Sequence, residues 1–259
     1  RDSVNAGTMK GTQLLSVASG GNLTTRKGSN TVSDGQLAVS ANNIDNAGSM
    51  RGNITYVEFS GDKLKVTGEL RGHSTLTVQS KKDDKVNSGL IYNTGSISGN
   101  DVTIITNGNL DQEGNIIGQN SLSIKTNVLD NVYYIYGKSL NIESNYVRNR
   151  ATIDGYNNTI SAANGILNEG QISASGDLTL NTLNHANITN YNTIKANGSL
   201  TMTTGTVKNG GYRCGFLNLA TCGKGSISAN KLVLNSYHNY ASEMGGQQQY
   251  KYAEINTIR

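Results

Sequence analysis

The sequence predicts an all-β fold, a parallel β-helix (β-solenoid) of about eleven coils with loop insertions on its surface. Three observations predict it. An apolar residue returns about every nineteen positions, at Met50, Leu70, Ile97, Ile116, Ile135, Ile153, Ile172, Ile194 and Ile227, and a fixed period of that length marks a solenoid. Around most of these residues a common unit recurs with variations, apolar-x-Asn-x-Gly-x-Ile-x-(Gly/Ala)-x-x-Leu-x-apolar. The chain also has no Pro, no Trp, 31 Gly and only 15% charged residues, and its wealth of Asn, Thr, Ser and Gly disfavours helix.

Each coil divides into about three short strands. The first carries Ile44, Ile91, Leu110, Leu129, Val147, Ile166 or Ile188, followed two positions later by an amide: Asn46, Asn93, Gln112, Asn131, Asn149, Asn168 and Asn190. Spacing by two puts both side chains on one strand face. The amide column is therefore expected inside or at a corner, bonding turn backbone from coil to coil in a structural role. The second strand carries the recurring isoleucine. The third carries Val102, Leu122, Leu140, Ile160, Leu178, Leu200 or Leu232, mostly with a second apolar residue two positions on, such as Ile104, Ile124 or Leu180. Gly, Asn and Asp separate the strands where the chain turns. Such strands are too short to stand alone and gain their stability by stacking at about 4.8 Å.

Departures from the unit mark surface loops. Residues 1–259 read as one β-helical segment of a longer filament, because Asn5-Ala6-Gly7-Thr8-Met9 already lies in mid-repeat. Insertions are expected at 79–90, at 210–225 and, as an irregular Tyr/Gln-rich stretch, at 235–254. The first expels the mixed-charge run Lys81-Lys82-Asp83-Asp84-Lys85, which reads as a solvated loop. The second contains Cys214 and Cys222. A metal site there would need more ligands, and the histidines His73, His185 and His238 fall on different coils. A local disulfide is the preferred reading, implying an oxidising, extracytoplasmic setting and contributing roughly 2.5 kcal/mol by chain entropy. The loop displays Phe216, Leu217 and Leu219, either folded back on the rod or forming a contact site.

A second candidate recognition surface comes from outward positions. Tyr134 and Tyr136 flank inward Ile135, Ile117 holds the matching position one coil earlier, and Tyr146 and Arg148 flank inward Val147. Tyr133 and Tyr156 fall at or near turns of the same coils. Tyrosine and arginine are favoured in interface hot spots, although tyrosine is also a good strand residue in its own right.

Composition and motifs weigh against other functions. The net charge of +4 is spread along the chain, without the basic stripe and interleaved aromatics of nucleic-acid binding. No stretch of about twenty apolar residues suggests membrane insertion. Glycoside hydrolysis needs two carboxylates and a lyase a calcium cluster beside a base. Asp154 has no second acid, Asp111 and Asp130 have no base beside them, and Asp83 and Asp84 sit among lysines. No catalytic residue, metal ligand or cofactor is therefore expected, and a polysaccharide-active β-helix enzyme is the least favoured alternative.

The segments Asn93-Thr-Gly-Ser-Ile-Ser-Gly-Asn-Asp-Val-Thr-Ile104 and Asn168-Glu-Gly-Gln-Ile-Ser-Ala-Ser-Gly-Asp-Leu-Thr-Leu180 resemble the haemagglutinin repeats of filamentous haemagglutinin and CdiA-type two-partner secretion exoproteins. The resemblance covers nearly the whole chain and is specific to the broad family, not to one member. It implies a right-handed β-helical filament at the surface of a Gram-negative bacterium, secreted through an outer-membrane transporter partner. It further implies one of two roles. One is a monomeric receptor-binding stretch of a CdiA-like contact-dependent growth inhibition effector, recognising an outer-membrane protein or surface glycan on a neighbouring cell, with the toxin elsewhere. The other is a rod segment of an adhesin that binds host glycan or protein. The irregular inserts, tyrosines and cysteine loop favour the first, since a plain stalk would be more monotonous.

Overall fold

Alternation of inward apolar and outward polar residues produces strands throughout. A computed structural model describes residues 1–81, 89–183, 185–210 and 225–236 in full and residues 212–214, 220–222 and 247–257 as backbone. Among the described residues there is no helix, and the parallel strands stack as a β-solenoid of about ten turns. The chain divides into two units, Arg1–Lys138 and Ser139–Arg259.

In the first unit the second-strand column runs in register through Met9, Thr31, Met50, Leu70, Ile97 and Ile116. The third-strand column runs through Leu15, Leu37, Thr55, Leu76, Val102 and Leu122. From Met50 onward every one of these side chains is shielded from solvent. In the second unit Ile153, Ile172, Ile194 and Ile227 form one column, and Leu178, Leu200 and Leu232 another. Corners often bend without breaking the strand, so that Ser49–Phe59, Glu69–Ser80 and Asn115–Asn131 are each continuous. The expected separate short strands run together there, although pairing skips the corner residues, as between Gly72 and Thr75.

The corner amides form a buried ladder. Asn93 Nδ2 donates to Gln112 Oε1 at 2.8 Å and to Asn115 O at 3.1 Å, and Gln112 Nε2 donates to Gly114 O at 2.7 Å. In the second unit Asn149 Nδ2 donates to Asn168 Oδ1 at 2.8 Å, Asn168 Nδ2 to Asn190 Oδ1 at 2.7 Å, and Asn190 Nδ2 to Asn209 Oδ1 at 2.8 Å. Each amide also donates to turn carbonyls, as Asn168 does to Thr193 O at 2.8 Å. Asn46 and Asn131 share the corner position and are equally buried. Val66 occupies the rung between Asn46 and Asn93, and there Asn46 Nδ2 bonds Glu69 O at 2.9 Å.

A second polar column escaped the sequence reading. Thr106, Thr126, Thr182, Thr204 and Ser236 end their third strands facing inward and are buried. Their hydroxyls donate to corner carbonyls, Thr126 to Gly108 O at 2.8 Å and Ser236 to Gly205 O at 2.9 Å.

Insertions fall at the corners. Residues 82–88, which hold most of the charged run, lie outside the described residues. At their edge Lys81 Nζ bonds the buried Glu58 carboxylate at 2.8 Å, and Tyr56 Oη donates to the same group at 2.8 Å. The second insertion separates Asn209 from Ser226, while Ile227 still pairs with Ile194. The third is shorter than expected. Strand Gln247–Thr257 lies in register on Ser226–Ser236, with Gln248 opposite Ile227 and Ile255 opposite Leu234. The Gln/Tyr run therefore belongs to a coil rather than to an irregular loop, hidden because glutamine stands at the isoleucine position.

Replacing Asn168 by Leu removes one bond each from Asn149 Nδ2, Asn190 Oδ1 and Thr193 O, and should destabilise the chain by about 1–3 kcal/mol in urea unfolding. Val66→Asn supplies a missing rung and should leave stability within about 1 kcal/mol of the parent or raise it. Burial pushes the Glu58 carboxyl upward, but hydrogen bonds from Lys81 and Tyr56, the Lys81 charge and Ser40 outweigh it and hold the group below its ordinary value of 4.5. The contribution of this cluster is therefore present above that value and lost as pH falls through the lower folded value. Glu58→Gln should cost about 1–2 kcal/mol at pH 7 and much less at pH 3, read from paired denaturation curves.

Candidate partner-binding site

The outward tyrosines of the first unit sit on strand Tyr134–Asn149 on either side of buried Ile135. Being two residues apart they share a face, and their rings stack with centroids 6.4 Å apart and planes 8° from parallel. Tyr133, 54% exposed, and Val132, 38% exposed, extend the apolar surface around the preceding corner. Ile117 is half-buried at the outward position paired with Ser98.

Tyr133 is the unexpected member. It follows the corner amide by two positions, where Gly48, Gly95 and Gly114 follow theirs and Gly68 follows Val66. A Cβ at Gly95 would run into Gly68 O, and one at Gly114 into Gly95 O, so these coils require glycine here, whereas Ala151 and Asn192 hold the equivalent position in the second unit. The coil with tyrosine adapts by opening a rung. Tyr134 N to Gly114 O is 3.4 Å, against 2.9 Å for Ser96 N to Gly68 O and for Asn115 N to Gly95 O. The Asn131 amide holds the turn on both sides, accepting from Tyr133 N at 3.4 Å and donating to Tyr133 O at 3.3 Å. A weakened backbone bond is thus exchanged for a large exposed ring with a polar tip. The sequence signal was the loss of the Asn-x-Gly pattern at Asn131-Val132-Tyr133; Val132 was missed altogether.

In the second unit Tyr146 and Arg148 flank buried Val147, as expected. Arg148 Nε is bound to Glu169 Oε2 of the following coil at 2.8 Å, which fixes the guanidinium along the rod. The Tyr146 ring lies beside the turn at Gly165, whose φ of +127° bars a side chain. Tyr156, 52% exposed, leans over Gly176 in the same manner. These three residues brace neighbouring corners as well as facing outward.

The cysteine insertion contains an antiparallel pair of strands, Tyr212–Cys214 and Ala220–Cys222, with Cys214 opposite Ala220 and Cys222 opposite Tyr212. The cysteine side chains lie outside the described residues, as do Phe216, Leu217 and Leu219. The carboxylates considered for catalysis are placed plainly: Asp111 and Asp130 are register partners in adjacent coils, and Asp154 Oδ1 accepts from Ser173 Oγ at 2.7 Å. Among the described residues no group of three His, Cys, Asp or Glu side chains could hold a metal ion.

The chain matches no protein-family model, no curated protein and no solved structure.

Proposed function

We propose that this chain is a receptor-recognition segment of a CdiA-like contact-dependent growth inhibition effector, displayed at the surface of a Gram-negative cell, with the patch of Ile117, Val132, Tyr133, Tyr134 and Tyr136 as its contact with an outer-membrane receptor on a neighbouring bacterium. The repeat resemblance supports the setting. The observation that carries the recognition role is Tyr133, a 54%-exposed aromatic at a corner that carries glycine in the preceding coils and only Ala151 or Asn192 where glycine is replaced in the second unit. A stalk has no use for a side chain that lengthens its own backbone rung. Stacked tyrosines add large contact area at small entropy cost, the composition of binding hot spots. The Cys214–Cys222 disulfide and secretion through a transporter partner belong to the same proposal.

The test uses outer-membrane vesicles from several Gram-negative species. The chain should sediment with vesicles from susceptible targets, and pre-treatment of the vesicles with protease should abolish this. Sedimentation that survives protease points to surface glycan and the adhesin role, and overturns a protein receptor. The triple change Tyr133→Ser, Tyr134→Ser and Tyr136→Ser should weaken vesicle binding at least tenfold with an unchanged far-UV CD spectrum. Tyr133→Gly separates recognition from folding. It restores the corner glycine, so stability should stay within about 1 kcal/mol of the parent while binding falls. Undiminished binding by both variants sinks the assignment.

A further inference from the structure

The first unit also carries a groove that the tyrosine patch does not reach, made by alternation in corner length. Between the second and third strands Asn53 stands alone between Gly52 and Ile54, while the paired stretch of the next coil inserts two residues, His73 and Ser74, between Gly72 and Thr75. Asn100 is again alone between Gly99 and Asp101, facing His73 and Ser74 on one side and Gln119 and Asn120 on the other. Each short corner is therefore a notch walled by longer ones, and the bulge re-aims His73 into the wall between the two. The first notch, about 410 Å³, is lined by Ser33, Asp34, Arg51, Asn53, Arg71 and His73. The second, about 190 Å³, is lined by Arg71, His73, Ser98, Asn100 and Gln119.

Charge and hydrogen-bonding capacity converge on Arg71, which with His73 lines both notches. Arg51 and Arg71 are register partners, which sets two like charges one coil spacing apart, about 4.8 Å along the backbone, an arrangement that is unfavourable unless an anion lies between them. Glu69 Oε2 reaches Arg51 at 3.8 Å, and Lys10 pairs with Asp34 at 3.8 Å. Among the described residues Arg71 has no ion pair, so the excess positive charge of this face rests on it. Ser33 borders the first notch, but its Oγ is buried on the inward face with Thr31 and takes no part in it. Asn53, Ser98, Asn100 and Gln119 offer the donors and acceptors that sugar hydroxyls need. Apart from the His73 imidazole no aromatic ring lines either notch, so nucleobases find little stacking surface.

We infer that this groove binds a carboxylated oligosaccharide of the uronic-acid class, with one carboxylate bridging Arg51 and Arg71 and sugar rings seated in the notches at Asn53 and Asn100. The two notches lie two coils apart, about 10 Å, the reach of a short saccharide rather than of a single ion. A planar carboxylate matches the bidentate fork of arginine. The inference is independent of the receptor proposed for the tyrosines.

The experiment is calorimetric titration of the intact chain with hexagalacturonate, with maltohexaose as the neutral hexamer. Hexagalacturonate should bind at least tenfold tighter, and binding should weaken with added salt. Arg71→Ala should lower its affinity at least tenfold, and Arg71→Lys should retain only part of it. Asn100→Trp, which fills the second notch without touching charge, should also weaken binding. The triple tyrosine variant should bind the saccharide as the parent does. Equal binding of the two hexamers, unchanged affinity in Arg71→Ala with an intact CD spectrum, or a stronger response to dextran sulfate than to hexagalacturonate would each overturn the assignment.

Discussion

The structure depends on one constraint: every polar group turned into a corner must find its partner in that corner or in the next coil. A buried amide or hydroxyl without a partner costs about 1–3 kcal/mol, and among the described residues only the side-chain atoms Ser33 Oγ and Asn158 Oδ1 are buried without one. Asparagine suits the task because it accepts with one atom and donates twice from another. Asn168 uses all of this, accepting from Asn149, donating to Asn190 and donating to Thr193 O. The ladder therefore ties side chain to side chain and side chain to turn simultaneously, and it holds the coils in register at the points where the strands bend. Val66 shows the limit of the rule. An apolar rung is accepted because the donors of its own turn, Thr67 N and Gly68 N, find Asn46 O at 2.9 and 3.0 Å, so that no turn donor is stranded. The hydroxyl column obeys the same logic with a single donor per coil.

Much of this architecture was legible because a strand alternates with period two and a coil with a nearly constant length. A shift by one residue would turn Ile97 outward and Ser98 inward, so apolar and amide positions are tightly specified. The hydroxyl column was not legible, since Thr and Ser fill outward strand positions as readily, as Thr103 and Ser123 do beside buried Ile104 and Ile124. Corner length was visible as a variable gap between the second- and third-strand residues, but it looked like tolerance. Only pairing across coils shows that Asn53 and Asn100 are recessed between longer neighbours. The outward tyrosines were readable from Ile135, whereas the meaning of Tyr133 needed the contact that a Cβ makes at Gly95 and Gly114.

A solenoid separates what holds it together from what it displays. Stability is close to a sum over neighbouring coils, and the inward columns supply it, so an outward residue can change at little cost. Outward tyrosines are for this reason weak indicators by themselves: Tyr146 and Tyr156 lean on corner glycines and are accounted for by local packing. A residue that damages the stack is more informative, because packing alone does not favour it. Tyr133 lengthens a rung to 3.4 Å. The bulge at His73 and Ser74 interrupts register with both adjacent coils. Arg51 and Arg71 set like charges on neighbouring rungs. These departures fall at two places on one unit, the corner before Ile135 and the corner after Leu70, and each exposes groups that the core does not use. Structural cost without structural benefit is the criterion that ranks these two corners above the rest of an otherwise repetitive surface.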